Sequence, residues 1–206
     1  MDQATANPLG REPIPQLLRG FAVPSIIAML VSSLYNVVDQ VFIGWGVGYL
    51  GNAATNVAYP LTTICLAIAL LLSAGSASRF SLHLGRGEAD KAAGIAGSAV
   101  TMAAVFGIAY AAAIEVWLPG LLRLFGSTPE VFPYAQSYTR ITALGLPFFI
   151  VTKVVSTLAR ADGSPRYSML CIAAGAVLNT ILDPIFIFVL KMGVAGAAIA
   201  TVAGQL

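Results

Sequence analysis

Charge is what this sequence has least of. Its eleven Lys+Arg and nine Asp+Glu make up 10% of 206 residues, where a soluble domain carries about 25%. That shortage excludes an ordinary water-facing domain and a disordered segment. With a net charge of only +2 there is no basis for a nucleic-acid or other polyanion partner. Histidine occurs once, at His83, which nearly excludes His-based metal sites and triads. The two cysteines, Cys65 and Cys171, lie inside apolar stretches with no spacing motif, and read as small core residues rather than a disulfide or metal site. Gly-x-Ser-x-Gly and His-Glu-x-x-His are absent, and the short Gly85-Arg86-Gly87 run follows no strand, so no enzyme or nucleotide signature stands out. What the chain has instead is a hydrophobic content of 58%, laid out in long runs.

A helix crosses the hydrocarbon core in roughly 20 apolar residues. Five such spans are expected at 21–43, 54–82, 92–118, 134–158 and 168–190, and a sixth at 194–206 that is incomplete. The fold class is therefore an all-α polytopic membrane protein, a six-helix transmembrane bundle. A half-crossed helix strands its carbonyls in lipid, so the sequence is expected to be the front part of a longer chain. Residues 1–20 are Pro/Gly-rich and are expected to form a cytoplasmic or interfacial segment, not a cleaved signal peptide. The glycine-rich stretch 44–52 reads as an outer loop, and Ser127-Thr128-Pro129-Glu130 reads as a helix start that lies flat on the membrane.

Basic residues fix the expected orientation. Arg11, Arg19, Arg79, Arg86, Lys91, Arg160 and Arg166 fall on one side, and Arg123 and Lys191 on the other. Cytoplasmic loops carry the Lys/Arg excess. The N-terminus is therefore expected in the cytoplasm, in a multi-pass protein of the cell (plasma or inner) membrane.

Two carboxylates stand inside the expected spans: Asp39 in LYNVVDQVFIG and Asp183 in VLNTILDPIFIF. An Asp at mid-span costs on the order of 2.5–3.5 kcal/mol on insertion scales, so it ordinarily has a purpose. Both spans run outward, and counting residues at 1.5 Å each puts the acids roughly 6 and 10 Å below the outer end of their spans. Asn179 lies one turn deeper than Asp183 on the same helix face, and Thr201 enters the same outer layer from the sixth span. Pro184 lacks an N–H for the carbonyl of Thr180, which adds a backbone oxygen. Carboxylate, amide and hydroxyl oxygens suit Na+ or exchangeable protons rather than a thiophilic metal. Two buried carboxylates that meet hold a proton between them when no cation is bound. No other cofactor is expected. Each polar group also has a plainer reading as a helix-packing contact. Tyr35, one turn before Asp39, and Tyr138, at similar depth in the fourth span, are candidate cleft residues, although a place in the aromatic belt is the commoner explanation for Tyr138. Arg140 is expected to reach the interface or to pair with Glu115 or Asp183, and Lys153 to snorkel.

The first and last span pairs echo each other. Asp39-Gln-Val-Phe-Ile precedes Gly51-Asn-Ala-Ala-Thr-Asn-Val-Ala, and Asp183-Pro-Ile-Phe-Ile precedes Gly196-Ala-Ala-Ile-Ala-Thr-Val-Ala, with one gap between. Both copies point the same way, as in a parallel repeat.

The succession LYNVVDQVFIG, LGRGEADKA, ARADGSPRYSM and LNTILDPIFIF with GVAGAAIATVAGQ resembles the N-terminal half of a MATE (multidrug and toxic compound extrusion) transporter, from about Pro13 to the last residue. The resemblance implies one lobe of a twelve-helix protein, with a C-terminal lobe across a central cleft as its missing partner. It implies an antiporter, not an enzyme, that exports cationic amphipathic compounds in exchange for Na+ or H+. It also implies a cation site at Asp39, Asn179, Asp183 and Thr201, with Tyr35 and Tyr138 near it. A lipid-linked oligosaccharide flippase of the same superfamily is the alternative. It needs basic residues for a diphosphate, and Arg140 and Lys153 are the candidates. A third possibility is a scaffold or inactive fragment.

Overall fold

The structure, a computed structural model, describes residues 13–205, and among these it contains six α-helices and no strand. They are α1 (Ile14–Val47), α2 (Tyr49–Gly85), α3 (Ala89–Leu124), α4 (Phe132–Ala161), α5 (Pro165–Pro184) and α6 (Val194–Gln205), with a π-helical turn at Ile185–Val189 continuing α5. Helices α1 to α5, the last with its π turn, are each long and apolar enough to cross a membrane, and α6 is a shorter apolar helix.

The helices overrun the expected spans. Helix α1 begins at Ile14 rather than at residue 21, and α3 continues to Leu124 rather than stopping at 118. Apolar runs mark only the part inside the hydrocarbon, roughly 30 Å thick, whereas i→i+4 hydrogen bonding continues through the polar interface. The 36 residues of α3 extend over roughly 54 Å at 1.5 Å each. Residues 14–20 of the expected N-terminal segment thus belong to α1, and residues 1–12, with Arg11, lie outside the described residues.

The expected outer loop at 44–52 is not a loop. A single residue, Gly48, separates α1 from α2; its φ of 81° is open to glycine at no steric cost, and its N–H still donates to the Gly44 carbonyl at 3.0 Å. Nor does Ser127–Glu130 begin a separate flat helix. The Thr128 carbonyl accepts from the N–H groups of Val131 and Phe132, closing a turn, and α4 starts at Phe132 with Pro133 in its first turn.

Two groups of helices make up the bundle. Helices α2, α3 and α4 pack around one continuous apolar core that includes Cys65, Ala69, Leu118, Leu122, Ile150 and Val154. In the other group α1 lies along α5, and α6 fits between α5 and α4. Small residues set that second packing. A Cβ on Gly204 would stand 2.8 Å from the Gly175 carbonyl oxygen, and one on Gly196 would stand 2.9 Å from the Phe186 backbone. Such contacts let membrane helices approach where no hydrophobic force draws them together. Large apolar side chains such as Leu30, Leu71, Ile108 and Val116 point outward, as a lipid solvent requires.

Candidate functional site

The second group of helices has a polar interior. Asp183 is fully buried, Asn179 is 2% exposed and Asp39 7%. The carboxyl groups of Asp39 and Asp183, from α1 and α5, come within hydrogen-bonding reach of each other, which one of them fulfils as donor when it holds a proton. The i,i+4 spacing of Asn179 and Asp183 puts both on one face of α5. Oriented to satisfy both of its ends, the Asn179 amide donates to Asp183 Oδ2 at 3.3 Å and accepts from the backbone N–H of Thr201 at 3.3 Å. Tyr138 of α4 is buried near Thr201 and the acid pair. This burial places it inside the bundle rather than in an aromatic belt.

Tyr35 is half-buried one turn below Asp39. It lines a cavity of about 80 Å³ together with Ser32, Lys153, Asn179, Thr201 and Gln205. The structure thus gathers all six side chains singled out from the sequence, from α1, α4, α5 and α6, at one locus.

Local structure helps to aim them. Pro184 directly follows Asp183 and cannot donate a helical N–H; α5 then widens into the π turn, where the N–H of Leu190 donates to the Ile185 carbonyl at 2.9 Å. π turns interrupt helices at functional sites more often than elsewhere.

Electrostatically the acid pair stands alone. Among the described residues no Lys, Arg or His comes within salt-bridge distance of either carboxylate. Arg140 turns to Glu115 of α3, with Nε 3.5 Å from Oε2, rather than to Asp183. Lys153 lies over the Phe149 ring, 5.3 Å from its centre. Asp39 Oδ1 and Asp183 Oδ1 are buried and have no hydrogen-bond partner. A buried anionic oxygen without a partner is costly, so the pair calls for a proton or a cation. The described residues hold no cluster of three His, Cys, Asp or Glu side chains. The donors on hand are two carboxylates, an amide and hydroxyls, all hard oxygens.

Two neighbours escaped the sequence reading. Gln40 Nε2 donates to Asp39 Oδ2 at 3.4 Å, and Thr55 Oγ1 of α2 donates to Gln40 Oε1 at 3.0 Å. The repeat hints at Thr55 alone, which stands within one residue of the place that Thr201 holds in the second copy, whereas Gln40 falls opposite Pro184.

Comparisons with known proteins agree with this architecture. The multidrug export protein MepA of Staphylococcus aureus is 26% identical over 191 residues, 93% of this chain and 42% of MepA. The MepA of Staphylococcus haemolyticus is 29% identical over 185 residues, 88% of this chain and 40% of the relative. Among solved structures, the MATE multidrug transporter DinF-BH superposes with a TM-score of 0.90 at 38% identity, over 95% of this chain and 44% of that one. An outward-facing MATE family transporter of the MOP superfamily gives a TM-score of 0.91 at 26% identity, over 100% of this chain and 45% of the other. The chain thus spans about two fifths of the length of these curated relatives, and has the fold of roughly half a MATE transporter. The MatE family model matches residues 24–185, and the chain belongs to that family of multi-pass membrane transporters.

Proposed function

We propose that this chain is the ion-coupling lobe of a secondary antiporter that exports cationic amphipathic compounds in exchange for Na+ or H+, with Asp39, Asn179, Asp183 and Thr201 as the coupling site. The observation that carries the reading is the meeting of Asp39 and Asp183 in a buried setting with no counter-cation and an unpartnered oxygen on each. Like charges that close do not both stay ionised. A proton held by the pair, or a sodium ion in its place, neutralises the site. Asn179 supplies an amide oxygen or nitrogen as needed, and Thr201 and Tyr138 supply hydroxyls.

Ion-driven export needs the site to bind the ion with different affinity in two conformations. A site shared by four helices meets that need, because any movement of α1 against α5 separates the acids. A second lobe, facing this one across a cleft, completes the transporter and the path of the exported compound. Tyr35 and Tyr138 adjoin that path. Orientation follows from the basic residues, with the N-terminus cytoplasmic in the plasma or inner membrane. The flippase alternative is less well supported, since Arg140 is engaged by Glu115 and leaves Lys153 as the remaining intramembrane cation among the candidates for a diphosphate.

The test is the melting temperature of the purified chain as sodium is raised at several pH values. A cation that binds the folded site alone raises Tm with concentration, by the equivalent of about 2.7 kcal/mol at a hundred times Kd. Asp183→Asn is expected to remove that rise. A rise of the same size in Asp183→Asn contradicts the assignment.

A further inference from the structure

We propose that Gln40 is a positioning residue for the acid pair, held in place by Thr55 of α2, and that this pair ties the cation site to the α2–α4 group. The proposal rests on the reading of Asp39 and Asp183 as a cation site. Gln40 follows Asp39 on α1 and is half-buried. Its two amide ends are both spoken for: Oε1 accepts from Thr55 Oγ1 at 3.0 Å, which turns Nε2 toward Asp39 Oδ2, 3.4 Å away. With Asp39 ionised, this orientation gives the amide a donor at one end and an acceptor at the other. The consequence falls on Asp39. One of its oxygens is engaged by the amide, and the other, Oδ1, has no partner and is left for a ligand.

The link also joins the two groups of helices. Apart from the single-residue turn at Gly48, Thr55 to Gln40 is a side-chain hydrogen bond between α1 and α2. Thr55 itself is buried. Its hydroxyl has one hydrogen and two acceptors in reach, Gln40 Oε1 at 3.0 Å and its own helix carbonyl at Asn52, 2.9 Å away. The hydroxyl therefore has two ready arrangements: one that holds Gln40 against Asp39, and one that releases it with no loss of hydrogen bonding for Thr55. Gly44 makes room beside this pair, since a Cβ there would stand 2.9 Å from the Asn52 amide nitrogen. A shift of α2 against α1 is thereby felt at an Asp39 oxygen, without any contact between α2 and the ion.

The experiment titrates sodium, lithium and potassium against the melting temperature of the purified chain and reads the midpoint for each ion. Gln40→Leu and Thr55→Val are each expected to raise the sodium midpoint at least tenfold and to narrow the preference for sodium over potassium. Thr55→Ser keeps the hydroxyl and is expected to retain the wild-type midpoint. A merely structural role for these residues lowers the cation-free Tm and leaves midpoints and ion preference alone; midpoints within twofold of wild type in both variants overturn the proposal. A shift in Gln40→Leu with none in Thr55→Val removes the link to α2 and overturns it as well. If Gln40→Leu does not fold, Thr55→Val and Thr55→Ser decide. Asp183→Asn separates the two layers of the account. If it loses the cation response while Gln40→Leu and Thr55→Val keep theirs, the positioning role fails and the acid pair stands. If it responds as wild type, the acid-pair reading fails and takes this one with it. A wild-type chain blind to all three ions also overturns the proposal.

Discussion

The two groups of helices solve the problem of packing in lipid in opposite ways. Helices α2, α3 and α4 fill their common interior with apolar side chains, from Cys65 and Ala69 to Leu118 and Val154, and bury no charge. Of their buried hydroxyls, Ser73 turns back to the Leu70 carbonyl and Thr142 to that of Tyr138, while Ser156 of α4 pairs with Ser168 of α5. Helices α1, α5 and α6 share only a small apolar cluster, Ile43, Ile187 and Ala197. They approach through glycines and enclose Asp39, Asn179 and Asp183. Buried acids without cationic partners weaken a fold. The first group is thus the more densely apolar of the two, and the second gives up apolar packing around its acids; on the proposed reading, its stability depends on the proton or cation they hold.

This contrast can be broken by substitution. Leu118→Ala, in the first group, is expected to cost about 2–5 kcal/mol through lost burial and a residual cavity. The sodium midpoint should remain unchanged, as checked by chemical or thermal unfolding with and without the ion. A midpoint that moves with Leu118 would show that the groups are not separable. Gly204→Val, where α6 meets α5, is expected to cost about 1–3 kcal/mol by overpacking. Unlike Leu118→Ala it should also weaken cation binding, because α6 carries Thr201 past Asn179; an unaltered binding curve would detach α6 from the site.

The smallest effect belongs to the turn between α2 and α3, outside the spans. There Glu88 accepts from Lys91 Nζ at 2.9 Å and meets His83 Nδ1 at 2.5 Å. Lys91, and after it His83, hold the Glu88 carboxyl below the ordinary carboxylate range. A pKa lowered in the folded state adds stability above the unfolded value that is lost as pH falls through the folded one. The small lead in Tm of the wild type over Glu88→Gln is therefore expected near neutrality and should fade below about pH 4, where a free Glu itself takes up a proton. A lead that grows toward acid pH contradicts this sign.

How much of this was readable in the sequence follows from what each feature costs. Apolar runs must be long to cross lipid, so the helices announced themselves. Acids in lipid are expensive, so Asp39 and Asp183 stood out, and the i,i+4 rule brought Asn179 with them. Helix ends did not show, because Ile14–Gly20 and Pro119–Leu124 extend helices beyond the stretch that hydropathy marks. Gly48 was hidden among neighbouring glycines, and only its φ of 81° singles it out. Gln40 and Thr55 were passed over for a related reason. An amide and a hydroxyl are cheap enough in a membrane helix to need no explanation, and only their contact with each other and with Asp39 gives them one.

Cation-induced infrared difference spectroscopy of the purified chain tests the central claim most directly, by reading the protonated carboxyl signal in wild type, Asp39→Asn and Asp183→Asn. If the two acids hold a proton jointly and a cation displaces it, adding the cation removes that signal in the wild type, and either single substitution abolishes the change. A change that survives intact in one of the two variants would mean that the acids act separately, which contradicts a shared site.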